Sequence, residues 1–204
     1  MTVTELRQPN AQLFCKLLHD ALEREEKEIH NIGVRFPADR YLLSVACAPE
    51  VVVGYLVRKQ ALRRDVAIVG ERRYEAGAAG LVDFCAVDVD GKCTASLEIK
   101  GPIGDWAGNG RLLEDIEKHF DPSVRIEGAT PSAKRYNAWI LIEQAAATSD
   151  ELNRRVEKLL SGPGGLDEID VSAPISINRV NNVVYQDDNG HSYGNLRVIV
   201  FSAR

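Results

Sequence analysis

The stretch Leu81-Val82-Asp83-Phe84-Cys85-Ala86-Val87-Asp88-Val89-Asp90-Gly91-Lys92-Cys93-Thr94-Ala95-Ser96-Leu97-Glu98-Ile99-Lys100 decides the fold. Asp90-Gly91 is flanked by β-prone residues, and both positions of a two-residue hairpin turn need a positive φ that Asp and Gly tolerate. Counting outward from that turn pairs Val89 with Lys92, Val87 with Thr94, Cys85 with Ser96 and Asp83 with Glu98. In this register Val82, Phe84, Ala86, Ala95, Leu97 and Ile99 share one apolar face. Leu81, Asp83, Cys85, Lys92, Thr94, Ser96, Glu98 and Lys100 share the other. A slip of one residue would mix the charges into the apolar set, so the pattern selects the register. It also sets two carboxylates opposite each other, which is unfavourable unless a cation lies between them.

Working outward, Phe14, Leu17, Leu18, Ala21, Leu22 and Ile29 recur at helical spacing and predict a helix from about Ala11 to Asn31, ended by Gly33. Glu25 lies on the same stripe, either as a boundary residue or as an acidic site residue. Pro49-Glu50 opens a second helix running to about Arg64, because Pro suits the first turn and Glu favours the positive end of the dipole. An antiparallel meander follows over Val66 to Tyr74, Leu81 to Val89 and Lys92 to Lys100. A loop dense in breakers, Gly101 to Gly110, leads to a helix carrying Leu112, Leu113, Ile116 and Phe120 on one side. Tyr136 to Glu143 reads as a buried strand, and Ser149 to Leu160 as an amphipathic helix capped by Ser149. Strands near Ile175 to Val180, Val183 to Gln186 and Leu196 to Ser202 close the chain, with Asp188-Asn189-Gly190 as a turn.

The chain has 204 residues, a formal net charge of -5 and 45% apolar residues, enough to bury one ordinary core. No apolar run is long enough for a membrane span and no signal-peptide pattern opens the chain, so a cytoplasmic protein without a membrane partner is expected. Mild acidity argues against nonspecific wrapping of nucleic acid but permits a local basic groove. Cys15, Cys47, Cys85 and Cys93 form no CxxC pair, and His19, His30, His119 and His191 show no ligand spacing, which argues against zinc. The cysteines read as small buried hydrophobes.

A helix, a three-stranded meander with Asp83 on its second strand and Glu98-Ile99-Lys100 on its third, then a helix and a strand, resembles the PD-(D/E)XK nuclease superfamily. The likeness covers roughly residues 49–143, with 11–48 as an N-terminal helical elaboration and 144–204 as an added helix and strands of one nuclease-like domain. It implies an α/β fold with a restriction endonuclease-like core, a mixed central sheet flanked by helices. Asp83 would be the metal-binding aspartate, Glu98 the second carboxylate and Lys100 the lysine of the motif. An acidic residue on a preceding helix often completes such a site, which points to Glu50 or Glu25. Val82 stands where the nominal motif has Pro.

The residues suit that chemistry in their own right, since phosphodiester hydrolysis needs neutralised charge, a positioned water and a supported leaving oxygen. Hard oxygen donors on adjacent strands suit Mg²⁺ or Mn²⁺, with Asp83, Glu98 and the backbone carbonyl of Ile99 as ligands. Lys100 would orient or deprotonate water or stabilise phosphate charge. Arg72, Arg73, Lys134 and Arg135 could meet phosphates, and Trp106 could stack on a base. The expectation is a nuclease acting on nucleic acid, DNA first, with specificity from a homodimer or a partner subunit. The alternative is a catalytically silent nuclease-like binding or assembly module.

Overall fold

Gly91 N–H donates to the Asp88 carbonyl at 3.0 Å, and Asp88 N–H donates to the Lys92 carbonyl at 3.0 Å. The computed structural model thus closes the hairpin through three residues, Val89-Asp90-Gly91, rather than the expected two. Gly91 takes φ 75°, the left-handed region in which glycine bears no Cβ penalty. Asp88 selects this longer loop, because its Oδ1 accepts from Asp90 N–H at 3.0 Å and from Lys92 N–H at 2.9 Å. The model describes residues 9–35, 45, 50–75, 80–103, 116–144, 166–177, 185–186 and 192–203.

The named elements are helices α1 (Ala11–Arg35) and α2 (Glu50–Leu62) and strands β1 (Ile68–Arg73), β2 (Leu81–Val87), β3 (Cys93–Ile103), β4 (Ala129–Gln144), β5 (Leu166–Val171), β6 (Ile175–Ser176), β7 (Tyr185–Gln186) and β8 (Ser192–Ala203). Residues 116–120 are also helical. The strands form one mixed sheet in the order β1-β2-β3-β4-β8-β5, with β6 and β7 paired to β8. β3 and β4 run parallel, and the other pairings are antiparallel. The α/β class with a mixed sheet flanked by helices is therefore as expected. α1 runs past Gly33, a position whose cost in a helix interior is only about 1 kcal/mol. β3 continues to Ile103, so Gly101, Pro102 and Ile103 are strand rather than the start of the expected loop, and the rest of that stretch, with Leu112 and Leu113, lies outside the described residues. Cys47, Trp106, the Ser149 to Leu160 helix and the Asp188-Asn189-Gly190 turn lie outside the described residues.

The register inside the hairpin is the expected one where it matters: Cys85 pairs with Ser96 and Phe84 with Leu97. A bulge between Ala86 and Val87 sets Val87 opposite Cys93 instead of Thr94. Val82 departs from its expected face. It is buried with Tyr74, Cys85, Cys93 and Ile126, not with Phe84. On the neighbouring strand Glu71, opposite this segment, takes φ 44°, while the β1–β2 register itself is unbroken from Ile68–Ala86 to Arg73–Leu81. Edge strand β5, with its interrupted pattern Leu166-Asp167-Glu168-Ile169-Asp170-Val171, was not expected from the sequence. Its Glu168 ties the sheet to α1, accepting from Ala11 N–H at 3.0 Å and from Tyr136 Oη at 3.3 Å. Burial raises the Glu168 pKa, but these bonds and the Lys134 ammonium outweigh it and hold the carboxyl below its ordinary value.

One face of the sheet is dry. Phe14, Leu17, Leu18 and Leu22 of α1 and Val53, Val57 and Ala61 of α2 pack on Phe84, Leu97, Ile99, Tyr136, Ala138, Ile140, Val198 and Val200. Gly54 permits the close approach of α2, since a Cβ there would lie 3.1 Å from the Phe84 ring. On the opposite face, Ile116 and Phe120 cover Trp139, Leu141, Ile199 and Phe201. Cys15, Cys85 and Cys93 are buried thiols, and Cys15 Sγ bonds the Val198 carbonyl at 3.6 Å.

Phe84 is 2% exposed and lies beneath Gly54 on the dry face, so Phe84→Ala opens a cavity that a helix glycine cannot fill. Its expected cost is about 3–5 kcal/mol, measured as the change in unfolding free energy in urea. A loss below about 1 kcal/mol would mean that the helix layer does not rest on Phe84.

Candidate functional site

Leu97 and Ile99 belong to the dry core, so the alternation of a strand places Ser96, Glu98 and Lys100 on the opposite face of β3. Lys100 Nζ lies 3.0 Å from Glu98 Oε1, with the two side chains 18% and 10% exposed. Water screens such a pair weakly. Asp83 reaches the same place from β2. Its Oδ2 accepts the Ile99 N–H at 2.6 Å, and the paired β2–β3 ladder ends at Phe84–Leu97, one step earlier. The two carboxylates are therefore brought to neighbouring residues of β3, with the Asp83 carboxylate bonded to β3 backbone rather than set in a regular cross-strand pair.

β4 adds to this face a residue that the motif does not contain. Asn137 pairs with Glu98 in the parallel ladder, and it lies on the same face, because its neighbours Tyr136 and Ala138 point into the dry core. Asn137 is 0% exposed, and neither Oδ1 nor Nδ2 has a hydrogen-bond partner among the described residues. A buried polar group left unbonded costs about 1–3 kcal/mol. The available signal was a lone carboxamide interrupting Tyr136-Asn137-Ala138-Trp139-Ile140-Leu141.

Below this pair lies a second polar group on the same face. His119 is 0% exposed; its Nδ1 lies 2.7 Å from Tyr74 Oη and its Nε2 3.3 Å from Ser96 Oγ. Burial, followed by the positive charge of Arg135, pushes the His119 pKa down to about 3, with Lys100 and Lys118 acting in the same direction. The imidazole is neutral at pH 7. It joins the 116–120 helix to Tyr74 beyond β1 and to Ser96 on β3, two residues from Glu98. Nearer the hairpin, the Cys85 thiol donates to Cys93, which raises the Cys85 pKa and lowers that of Cys93.

The other residues singled out in the sequence fall elsewhere. Arg135 is committed to backbone: its guanidinium donates to the carbonyls of His119 at 2.8 Å and Asp121 at 2.7 Å, and to that of Val124. That triple bond set holds the connection between the 116–120 helix and β4, so Arg135 serves the scaffold rather than a substrate surface. Lys134 is exposed and paired with Glu168 and, at 3.6 Å, with Asp167. Arg73 is exposed on β1, while Arg72 is half-buried and its charge acts on the two thiols. Glu25 is half-buried on α1, which packs across the dry face from Glu98 and Lys100, so the fold does not bring it to them. Glu26, one residue on, is the buried acid of α1, and its Oε2 accepts Val45 N–H at 2.8 Å. Glu50 is the first residue of α2, and its side chain lies outside the described residues.

Among the described residues no group of three or more His, Cys, Asp or Glu side chains could hold a metal ion. No helix among them is long and apolar enough to cross a membrane. Compared with known proteins, the chain matches no family model, no curated protein and no solved structure.

The depressed pKa of His119 fixes a sign for pH dependence. The unfolded chain binds a proton near pH 6.5 that the native chain refuses until about pH 3, so this contribution to stability is complete above pH 6.5 and is lost as pH falls. The slope is at most about 1.4 kcal/mol per pH unit. Urea denaturation of the parent and of His119→Gln at pH 7.5, 6.0, 5.0 and 4.0 measures it. The variant is less stable at pH 7.5 and its deficit shrinks toward pH 4; a deficit that stays constant with pH would mean that the buried imidazole is not held neutral.

Proposed function

We propose that this chain is a Mg²⁺- or Mn²⁺-dependent nuclease that hydrolyses phosphodiester bonds, in DNA first, on a restriction endonuclease-like core. One observation carries the reading: Asp83 closes on the backbone of Ile99, and Glu98 and Lys100 flank Ile99 on one face of β3. Three chemistry-bearing residues from two strands thereby share one backbone position. The order α2, β1, β2, β3, helical segment and β4 is the order on which the PD-(D/E)XK resemblance rests.

The donor set fits a small hard cation. Mg²⁺ takes one or two carboxylates and keeps several waters, so Asp83, Glu98 and the Ile99 carbonyl suffice without a third acidic side chain. A bound Mg²⁺ would supply charge neutralisation at the phosphate and a water of lowered pKa. The chain's own residues do the rest. Asp83 fixes the backbone of Ile99 and so the direction of the adjoining side chains. Lys100, which contacts Glu98 at 3.0 Å, would turn its ammonium to the phosphate or the attacking water. Both α1 and α2 pack on the dry face, opposite Glu98 and Lys100, so this reading takes no further acidic ligand from Glu25 or Glu50. Arg73 and Arg72 on edge strand β1 are the basic residues left for the phosphate backbone.

A second reading, a nuclease-like module that binds or assembles without cutting, rests on the same ion pair. Lys100 donates to Glu98 Oε1 at 3.0 Å, and a silent protein would retain that pair as a structural bond.

The two readings differ in a cleavage assay. Purified protein with Mg²⁺ or Mn²⁺ is expected to cut plasmid, linear or single-stranded DNA and to stop in EDTA. Lys100→Met is expected to lower the rate about 10²–10⁴-fold, the range for a positioned proton-transfer group, while metal and DNA binding persist. Binding without metal-dependent cutting by the parent would select the silent module.

A further inference from the structure

We infer that Asn137 is a positioning residue for Glu98, donating through its carboxamide to the Glu98 carboxylate when Glu98 turns from Lys100 to a divalent cation. The inference rests on the metal-site reading and adds a residue that the motif does not contain. Its basis is a buried carboxamide with both ends unbonded among the described residues, on the strand next to the acid it faces.

Neighbouring strands in a sheet lie about 4.8 Å apart, which leaves side chains directly paired on one face within reach of each other. Glu98 and Asn137 are such a pair, and the other strand beside Asn137 contributes Phe201, which offers it no polar atom. Toward β8 the face is Trp139, Ile199 and Phe201, against which Val or Leu would pack without an orphaned amide. A position so costly for a carboxamide is accounted for if Asn137 acts in a state in which Glu98 is rearranged. Glu98 has two roles in view: salt-bridge partner of Lys100, and ligand of a hard cation. In the first, the ammonium orients the carboxylate. In the second the ammonium is released, and another donor must hold the carboxylate in place, as outer-shell partners do for metal-binding carboxylates generally. The carboxamide supplies neutral N–H donors, so it can bond a carboxylate without competing electrostatically with the cation.

The experiment reads metal affinity and metal-free stability, not activity alone. Asn137→Leu, Asn137→Ala and Asn137→Ser are titrated with Mg²⁺ by calorimetry beside the parent, and their melting is followed in EDTA. The expected result is a 10–100-fold loss of Mg²⁺ affinity in Leu and Ala, a smaller loss in Ser, which keeps one donor, and a Leu variant that melts in EDTA no lower than the parent. Affinity within twofold of the parent in either Leu or Ala overturns the inference, as does a Leu variant that melts well below the parent, since Asn137 would then be a bonded structural residue. A parent that binds Mg²⁺ in an Asn137-dependent way yet cuts no nucleic acid leaves this inference standing and removes the nuclease. A parent with Mg²⁺-dependent cutting and Asn137-independent affinity does the reverse, and a parent without any Mg²⁺ response overturns both.

Discussion

Strand β3 is covered on both faces, and that constraint governs what its side chains can be. Leu97 and Ile99 meet the two N-terminal helices, while on the other face Ser96 reaches His119 and Glu98 lies between Lys100 and the Asn137 position of β4. A polar side chain so placed must find its bond within the protein, because water reaches it poorly. Glu98 bonds Lys100, Ser96 approaches His119, and the Ile99 N–H takes the Asp83 carboxylate. The site is thus a stretch of central strand in which satisfying buried polarity and assembling a charged cluster are the same requirement.

The scaffold around it separates its tasks by residue. Arg135 stitches three carbonyls of the turn between the 116–120 helix and β4, Glu168 ties the start of α1 to the sheet, and His119 joins helix, β3 and Tyr74. None of these needs to meet a ligand. Asn137 differs from all of them, because its carboxamide is buried without a bond among the described residues, which a folding role alone gives no reason to retain.

Much of this was legible in the sequence, and the reason is the period of two. The alternation across Leu81 to Lys100 has one register that keeps charge out of the core, and the structure reproduces it at Cys85–Ser96 and Phe84–Leu97. What the alternation could not carry was any departure from regularity. The Asp88 side chain lengthens the turn, a bulge moves Val87 to Cys93, and the left-handed Glu71 accompanies the altered packing of Val82. Partnership across long separations was equally hidden: the lone carboxamide marks Asn137 but not Glu98 as its neighbour, and nothing local sets Arg135 beneath His119, since both depend on the parallel crossover from β3 to β4. Strand β5 escaped notice because Asp167, Glu168 and Asp170 break its apolar pattern, a composition that suits an edge.

Melting of the parent and of Asp83→Asn, each in EDTA and across a Mg²⁺ series, tests most directly whether Asp83 and Glu98 together hold a cation. At a Mg²⁺ concentration about ten times its dissociation constant, the parent is expected to gain roughly 1.4 kcal/mol of stability. Asp83→Asn retains an oxygen that can accept the Ile99 N–H, so it is expected to stay folded in EDTA and to show only a small part of that gain. An equal Mg²⁺ response in the two proteins would contradict the assignment and leave Asp83 as a backbone-bonding residue of an ordinary polar strand face.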